Sequence, residues 1–266
     1  MKKAKIPSKL YMLLIFLFLY APIAVLFVIS FNENKSATTV EGFTLKWYAE
    51  VFKDSMLMDS LVNSLIIALL SALISTVLGT LTSIGIYNFK GAPRKLFQTV
   101  SNIPIINPEI VTGFSLLLLF TFVGTLFRFE MGFLTVLLAH IGFCTPYVIL
   151  SVTPKLRQMD NHIYEAALDL GCNQLKAFFK VVLFELLPGI ISGFLISFTY
   201  SLDDFVISYF TCGASFQTLP IYIFNNNRIP KKIPMFCALS VMLFLVIITI
   251  LIIVNISSIK AEQKDK

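Results

Sequence analysis

The sequence predicts an all-α polytopic membrane protein of about six transmembrane helices, and three observations carry that prediction. Hydrophobic residues make up 57% of the 266 positions. Charged residues make up 14%, about half the share usual in a soluble domain. The apolar residues also come in runs of about twenty, enough to cross roughly 30 Å of hydrocarbon at about 1.5 Å per residue. A soluble fold of this length has too little interior to hide so much apolar side chain.

Reading the runs between charged or Pro/Gly-rich breaks places spans at 10–31, 61–87, 103–127, 133–153, 186–210 and 236–256. Lys2, Lys3, Lys5 and Lys9 precede the first run, but no small-x-small pattern closes it, so an uncleaved first span is expected rather than a signal peptide. Pro104 and Pro108 interrupt the start of the third. With no repeat, low-complexity tract or soluble domain in view, 1–266 reads as one transmembrane domain.

Loop charges set the orientation, because Lys- and Arg-rich connections stay on the cytoplasmic side. Lys90, Arg94 and Lys95 lie between spans two and three, whereas 32–60 carries three lysines against five acids. The 154–185 connection carries Lys155, Arg157, Lys176 and Lys180 and the 260–266 tail Lys260, Lys264 and Lys266, so both termini are expected in the cytoplasm. Arg228, Lys231 and Lys232 dissent, lying on the outer side with no acid beside them.

The net charge of +6 does not point to nucleic acid, because the basic residues sit at the ends of apolar runs rather than in one aromatic-interleaved patch. Four scattered cysteines without CxxC spacing read as small buried hydrophobes. Only two histidines occur, His140 in a span and His162 in a loop. That leaves no pair for a membrane-embedded enzyme or metal centre, and His140 reads as packed and hydrogen-bonded. No GxxxxGK[ST] loop occurs, so ATP is expected on another chain and no cofactor on this one. Trp47 is expected as an interfacial anchor.

The stretch DNHIYEAALDLGCNQLKAFFKVVLFELLPGI, 160–190, is too polar to span and too regular for a linker. Ile163, Ala166, Ala167 and Leu170 fall on one helical face, Asp160 or Asn161 can cap the start, and Gly171 can end it. Leu175, Phe178, Phe179 and Val182 repeat the spacing after Asn173. Two short amphipathic helices result, which either lie in the headgroup boundary or dock into a cytoplasmic partner.

This stretch resembles the EAA loop of permease subunits of bacterial binding-protein-dependent ABC importers. Glu165, Ala166, Ala167 and Gly171 match that motif, Val181, Val182 and Leu183 follow nine residues later, and Phe184 stands where the family has proline. The resemblance implies a type I ABC importer permease fold and a loop that inserts into the ATPase subunit, with Glu165, Ala166, Ala167, Asp169 and Gly171 as the coupling contact. It implies as partners a homologous second permease, two ATPase copies and an extracytoplasmic binding protein, in the lipid of a bacterial cell membrane.

Intramembrane acids are costly in lipid, so they face protein or water and often mark a pathway. Glu109, Asp203 and Asp204 are the candidates, against the alternative of interfacial or helix-pairing roles. Adjacent Asp203 and Asp204 point about 100° apart on a helix, so one of them can serve as a structural partner for a donor. The strings NPEIVTGFSLLLLF, LAHIGFCTPYVIL and FTYSLDDFVISYF resemble the second membrane subunit of spermidine/putrescine permeases. That resemblance implies a polyamine substrate, and Glu109, Tyr200, Asp203, Asp204 and Tyr209 supply the carboxylates and aromatic faces such a cation needs. A permease for another solute, and a channel or assembly protein, are the alternatives.

Overall fold

The computed structural model describes residues 6–34 and 39–264; Lys2, Lys3 and Lys5 of the first basic cluster lie outside them. The helices, in chain order, are α1 (Ile6–Ser30), α2 (Lys46–Val51), α3 (Ser55–Asn88), α4 (Ala92–Ile106), α5 (Glu109–Phe127) and α6 (Phe133–Gln158). There follow α7 (Asn161–Asp169), α8 (Gln174–Ala177), α9 (Leu183–Asp203), α10 (Val206–Thr211), α11 (Leu219–Asn226) and α12 (Ile233–Lys264). Among the described residues six helical stretches are long and apolar enough to cross a membrane: Lys9–Ser30, Ser55–Asn88, Glu109–Phe127, Phe133–Gln158, Gln174–Asp203 and Pro230–Thr249.

Three details differ from the sequence expectation. The third span starts at Glu109, not at 103, because Ile103–Ile106 end α4 and the chain breaks at Asn107. Pro108 forces the residue before it out of the helical region, and Asn107 sits at ψ 132°. Secondly, the expected second amphipathic helix is not separate: Asn173 caps α8 by accepting from the Lys176 N–H, and a π-helical turn at Phe178–Val182 carries α8 into α9. Thirdly, the fifth span ends at Asp203 instead of running to Phe210.

The chain divides into two compact units. The first holds residues 1–58 and 223–266. In it α1 packs on α12, with Phe27 edge-on to Phe244 at 6.1 Å, and α2 packs on α12. Trp47 is not an exposed anchor: it is 3% exposed and donates its indole N–H to the Asn32 carbonyl at 2.6 Å. Lys232, one of the dissenting basic residues, pairs with Asp54 at 3.0 Å.

The second unit, 59–222, is organised around α6 and α9. Gly189, Gly193, Ser197 and Ser201 recur every four residues on α9, and all four are buried. A stripe of small residues lets two helices approach closely where lipid gives them no hydrophobic drive to associate. A Cβ on Gly193 would stand 3.1 Å from the Val148 Cα, and one on Gly189 would stand 3.1 Å from the Ser151 carbonyl. A Cβ on Gly79 of α3 would lie 2.6 Å from the Val148 Cβ. Val148 is thus packed closely by two glycines. Gly193→Leu should therefore lower the thermal midpoint of the detergent-purified protein, overpacking costing about 1–3 kcal/mol; an unchanged midpoint would show that the helices do not pass this closely.

Candidate functional site

Antiparallel pairing of α6 and α9 sets the site. Towards the end of α9 the contact changes from glycine to hydroxyl and thiol: Ser197 Oγ donates to the Cys144 carbonyl at 3.4 Å, and Cys144 Sγ to the Ser197 carbonyl at 3.5 Å. One turn further on, Ser201 Oγ lies 2.6 Å from Nδ1 of His140. His140 is fully buried, and its Nε2 lies 2.9 Å from Ser208 Oγ on α10 and 3.4 Å from Asp204 Oδ2. The lone span histidine is thus packed and hydrogen-bonded, as its sequence setting suggests.

The two adjacent aspartates part company here. Asp204 leaves the helix (φ −65°, ψ 124°), and its carboxylate accepts the N–H of Ile207 at 3.2 Å and of Ser208 at 2.7 Å. It caps α10 and faces the imidazole, with a side chain 5% exposed. Asp203, the last residue of α9, is exposed. The pair therefore splits into one inward structural carboxylate and one outward free face.

Tyr200 precedes Asp203 by one turn and is also exposed, at 47%. Its ring stacks on Tyr147 of α6, centroids 4.6 Å apart and planes within 20°. Glu109, exposed at the first turn of α5, lies within electrostatic reach of Tyr147. The structure thus stacks Tyr200 on Tyr147, with Glu109 in electrostatic reach of the pair and Asp203 a turn beyond. Tyr209 lies past the break, on α10, among rings: Phe205 at 5.5 Å and Phe210 at 5.8 Å.

Tyr147 was missed by sequence reasoning. It lies in the quoted string LAHIGFCTPYVIL, but only the α6–α9 register singles it out among nine tyrosines. The serines that hold His140 were missed as well. Serine is common in apolar helices, and only pairing across helices distinguishes a partner from a filler.

Helix α7 is built as its residues demand. Asp160 caps it through the His162 N–H at 3.0 Å. Gly171, at φ 84°, closes it in a Schellman arrangement, with Cys172 N bonded to the Ala167 carbonyl at 3.0 Å and Gly171 N to the Leu168 carbonyl at 2.9 Å. The face that packs on this chain is offset from the apolar stripe. Tyr164, Ala167 and Leu168 face the protein, with Tyr164 against the core of Val148, Val152, Leu156, Val182 and Leu186. Of the expected face only Ala167 is buried; Ile163, Ala166 and Leu170 point outward, Leu170 at 86% exposure. Glu165 and Asp169 are exposed too, and Glu165 pairs with His162 at 3.3 Å.

Six helices long and apolar enough to cross a membrane, three of them sharing an acid-and-aromatic surface, fit a membrane transport component. The chain belongs to the family of binding-protein-dependent transport system inner membrane components, which matches residues 75–260. Among curated relatives it is 39% identical over 222 residues to the putrescine transport system permease protein PotI of Escherichia coli (strain K12), covering 82% of this chain and 78% of that one. It is 31% identical over 256 residues to the spermidine/putrescine transport system permease protein PotC of the same strain, covering 96% and 94%. Among solved structures, a bacterial ABC transporter involved in the import of the acidic polysaccharide alginate matches with a TM-score of 0.73 at 13% identity, over 94% of each chain. An amino acid ABC transporter matches with 0.56 at 16% identity, over 80% of this chain and 98% of that one. At such identities these two speak for the fold alone.

Proposed function

We propose that this chain is a permease subunit of an ATP-driven polyamine importer, and that Glu109, Tyr147, Tyr200 and Asp203 form its side of the translocation pathway. The observation that carries the reading is the stacked tyrosine pair with a carboxylate at Glu109 and another at Asp203. Polyamines are flexible polycations with methylene spacers. Carboxylates attract the ammonium groups, and aromatic faces accept both the cations and the apolar spacers. Tyr209, on α10, would extend the aromatic lining. The similarity to a putrescine permease and a spermidine/putrescine permease supports the same substrate class.

In this reading the pathway is completed by a homologous second permease. Two copies of an ATPase bind the ATP, an extracytoplasmic binding protein delivers the solute, and this chain holds no cofactor. Glu165, Ala166, Ala167, Asp169 and Gly171 lie on the ATPase-contacting element, and the outward Ile163, Ala166 and Leu170 give it an apolar face to bury. Both termini lie in the cytoplasm of a bacterial cell. The pairing of Lys232 with Asp54 supports that orientation, since it neutralises one charge of the dissenting outer segment.

The test is uptake of labelled putrescine and spermidine by vesicles holding the chain with its cognate permease, ATPase and binding protein. ATP-dependent uptake of either amine is expected. Assembled complex that takes up neither would remove the polyamine assignment.

A further inference from the structure

We propose that His140 is a positioning residue for translocation: it clamps the broken end of the fifth span so that Tyr200 and Asp203 are presented to the pathway. The inference rests on the reading that those two residues line the pathway.

The break between α9 and α10 is unusual in its cause. No proline or glycine lies between Gly193 and Gly213, so neither of the strongest helix breakers makes the break. What interrupts it is Asp204, which leaves the helical region and caps the next helix with its own carboxylate. A capping carboxylate in an apolar surround needs a donor on its other side. His140 stands there, with Nε2 3.4 Å from Oδ2.

The imidazole also reaches back across the break. Ser201 of α9 meets Nδ1 at 2.6 Å and Ser208 of α10 meets Nε2 at 2.9 Å, so one ring ties the helix before the break to the helix after it. Ser201 Oγ in turn lies 2.9 Å from Ser71 Oγ on α3, which donates to the Ala68 carbonyl at 3.2 Å. The Asp204 carboxylate calls for the proton on Nε2, which donates towards Oδ2 and Ser208 Oγ, while Nδ1 accepts from the Ser201 hydroxyl. Four helical segments thus converge on a ring that is not exposed to the pathway. Tyr200 is the residue before Ser201 and Asp203 the residue before Asp204, so each presented residue is the immediate neighbour of a held one.

The experiment compares His140→Ala, His140→Gln and the wild type in the purified, reconstituted complex. Uptake per assembled complex and binding-protein-stimulated ATP hydrolysis are both measured, with whichever solute the wild type carries. His140→Ala is expected to lower uptake about tenfold or more, the order of loss from misplacing functional groups, while ATP hydrolysis stays near the wild-type rate. His140→Gln, whose amide reaches Ser208 and Asp204, should regain most of the loss. Uptake in His140→Ala equal to wild type, or uptake and hydrolysis falling in parallel, overturns the clamp. If His140→Ala does not assemble, Ser201→Ala removes a single arm and should give the same split in smaller measure; unchanged transport per ATP there also overturns it. The pathway reading fails separately, on Asp203→Asn and Tyr200→Ala behaving as wild type.

Discussion

Asp203→Asn is expected to leave the protein inserted and assembled while uptake falls about tenfold or more, whereas Asp204→Ala is expected to cost the fold itself. The two carboxylates are neighbours in sequence and opposite in environment. Asp203 is exposed at the end of α9, one turn from the Tyr147–Tyr200 stack, so neutralising it removes no internal partner. At an effective dielectric near 20, a carboxylate about 4 Å from an ammonium group is worth about 4 kcal/mol, so a tenfold loss, about 1.4 kcal/mol, is a modest expectation.

Asp204 accepts two backbone N–H groups and faces a buried imidazole. Removing it loses a helix cap, about 1 kcal/mol, and leaves buried donors unsatisfied at about 1–3 kcal/mol. Yield and thermal midpoint of the purified protein should drop for Asp204→Ala and hold for Asp203→Asn. Uptake by Asp203→Asn at the wild-type rate would take Asp203 out of the pathway. An unaltered midpoint for Asp204→Ala would contradict its structural role. A double neutralisation would mix the two effects.

The second large effect is expected at the end of α7. Gly171 sits at φ 84°, and a Cβ there would meet nothing within 4 Å. Gly171→Asp therefore costs backbone strain of about 1–2 kcal/mol without a clash, and puts a new charge on the exposed rim of the helix. Leu170→Asp is the cleaner companion: an 86% exposed side chain contributes little to the fold, and surface changes stay within about 0.5 kcal/mol. Both variants should purify as folded protein. Both should lose the co-purifying ATPase and lower uptake by about tenfold or more, since a charge replaces apolar contact at the centre of the outward face. Retention of the ATPase together with normal uptake in Leu170→Asp would assign this face to the membrane surface instead.

Much of the fold was legible in the residues. Each of the six expected spans falls on one of the six long apolar helices, because lipid requires about twenty apolar residues per crossing and the chain announces them. The break at Asn107 was signalled by Pro108, and the caps of α7 by Asp160 and Gly171, since these residue types act on their own backbone. The end of the fifth span carried no proline or glycine. Asp204 caps α10 on its own backbone, but the sequence does not say which of two adjacent aspartates does so, and the imidazole that faces Asp204 comes from 64 positions earlier in the chain. Periodicity also found that α7 is amphipathic, but not that Tyr164 and Leu168 would be the side chains this chain covers, since an apolar stripe reads alike whether it meets this chain or another.

The sequence by itself determined the solvent of this protein, the number of crossings and the chemical kinds of group its surface offers, because hydropathy, proline and glycine act locally. Only the tertiary structure decided which aspartate is a helix cap and which is free, and that Tyr147 joins Tyr200. Those outcomes depend on the register of α6 against α9, set by glycines and serines whose small size carries no signal until two helices touch.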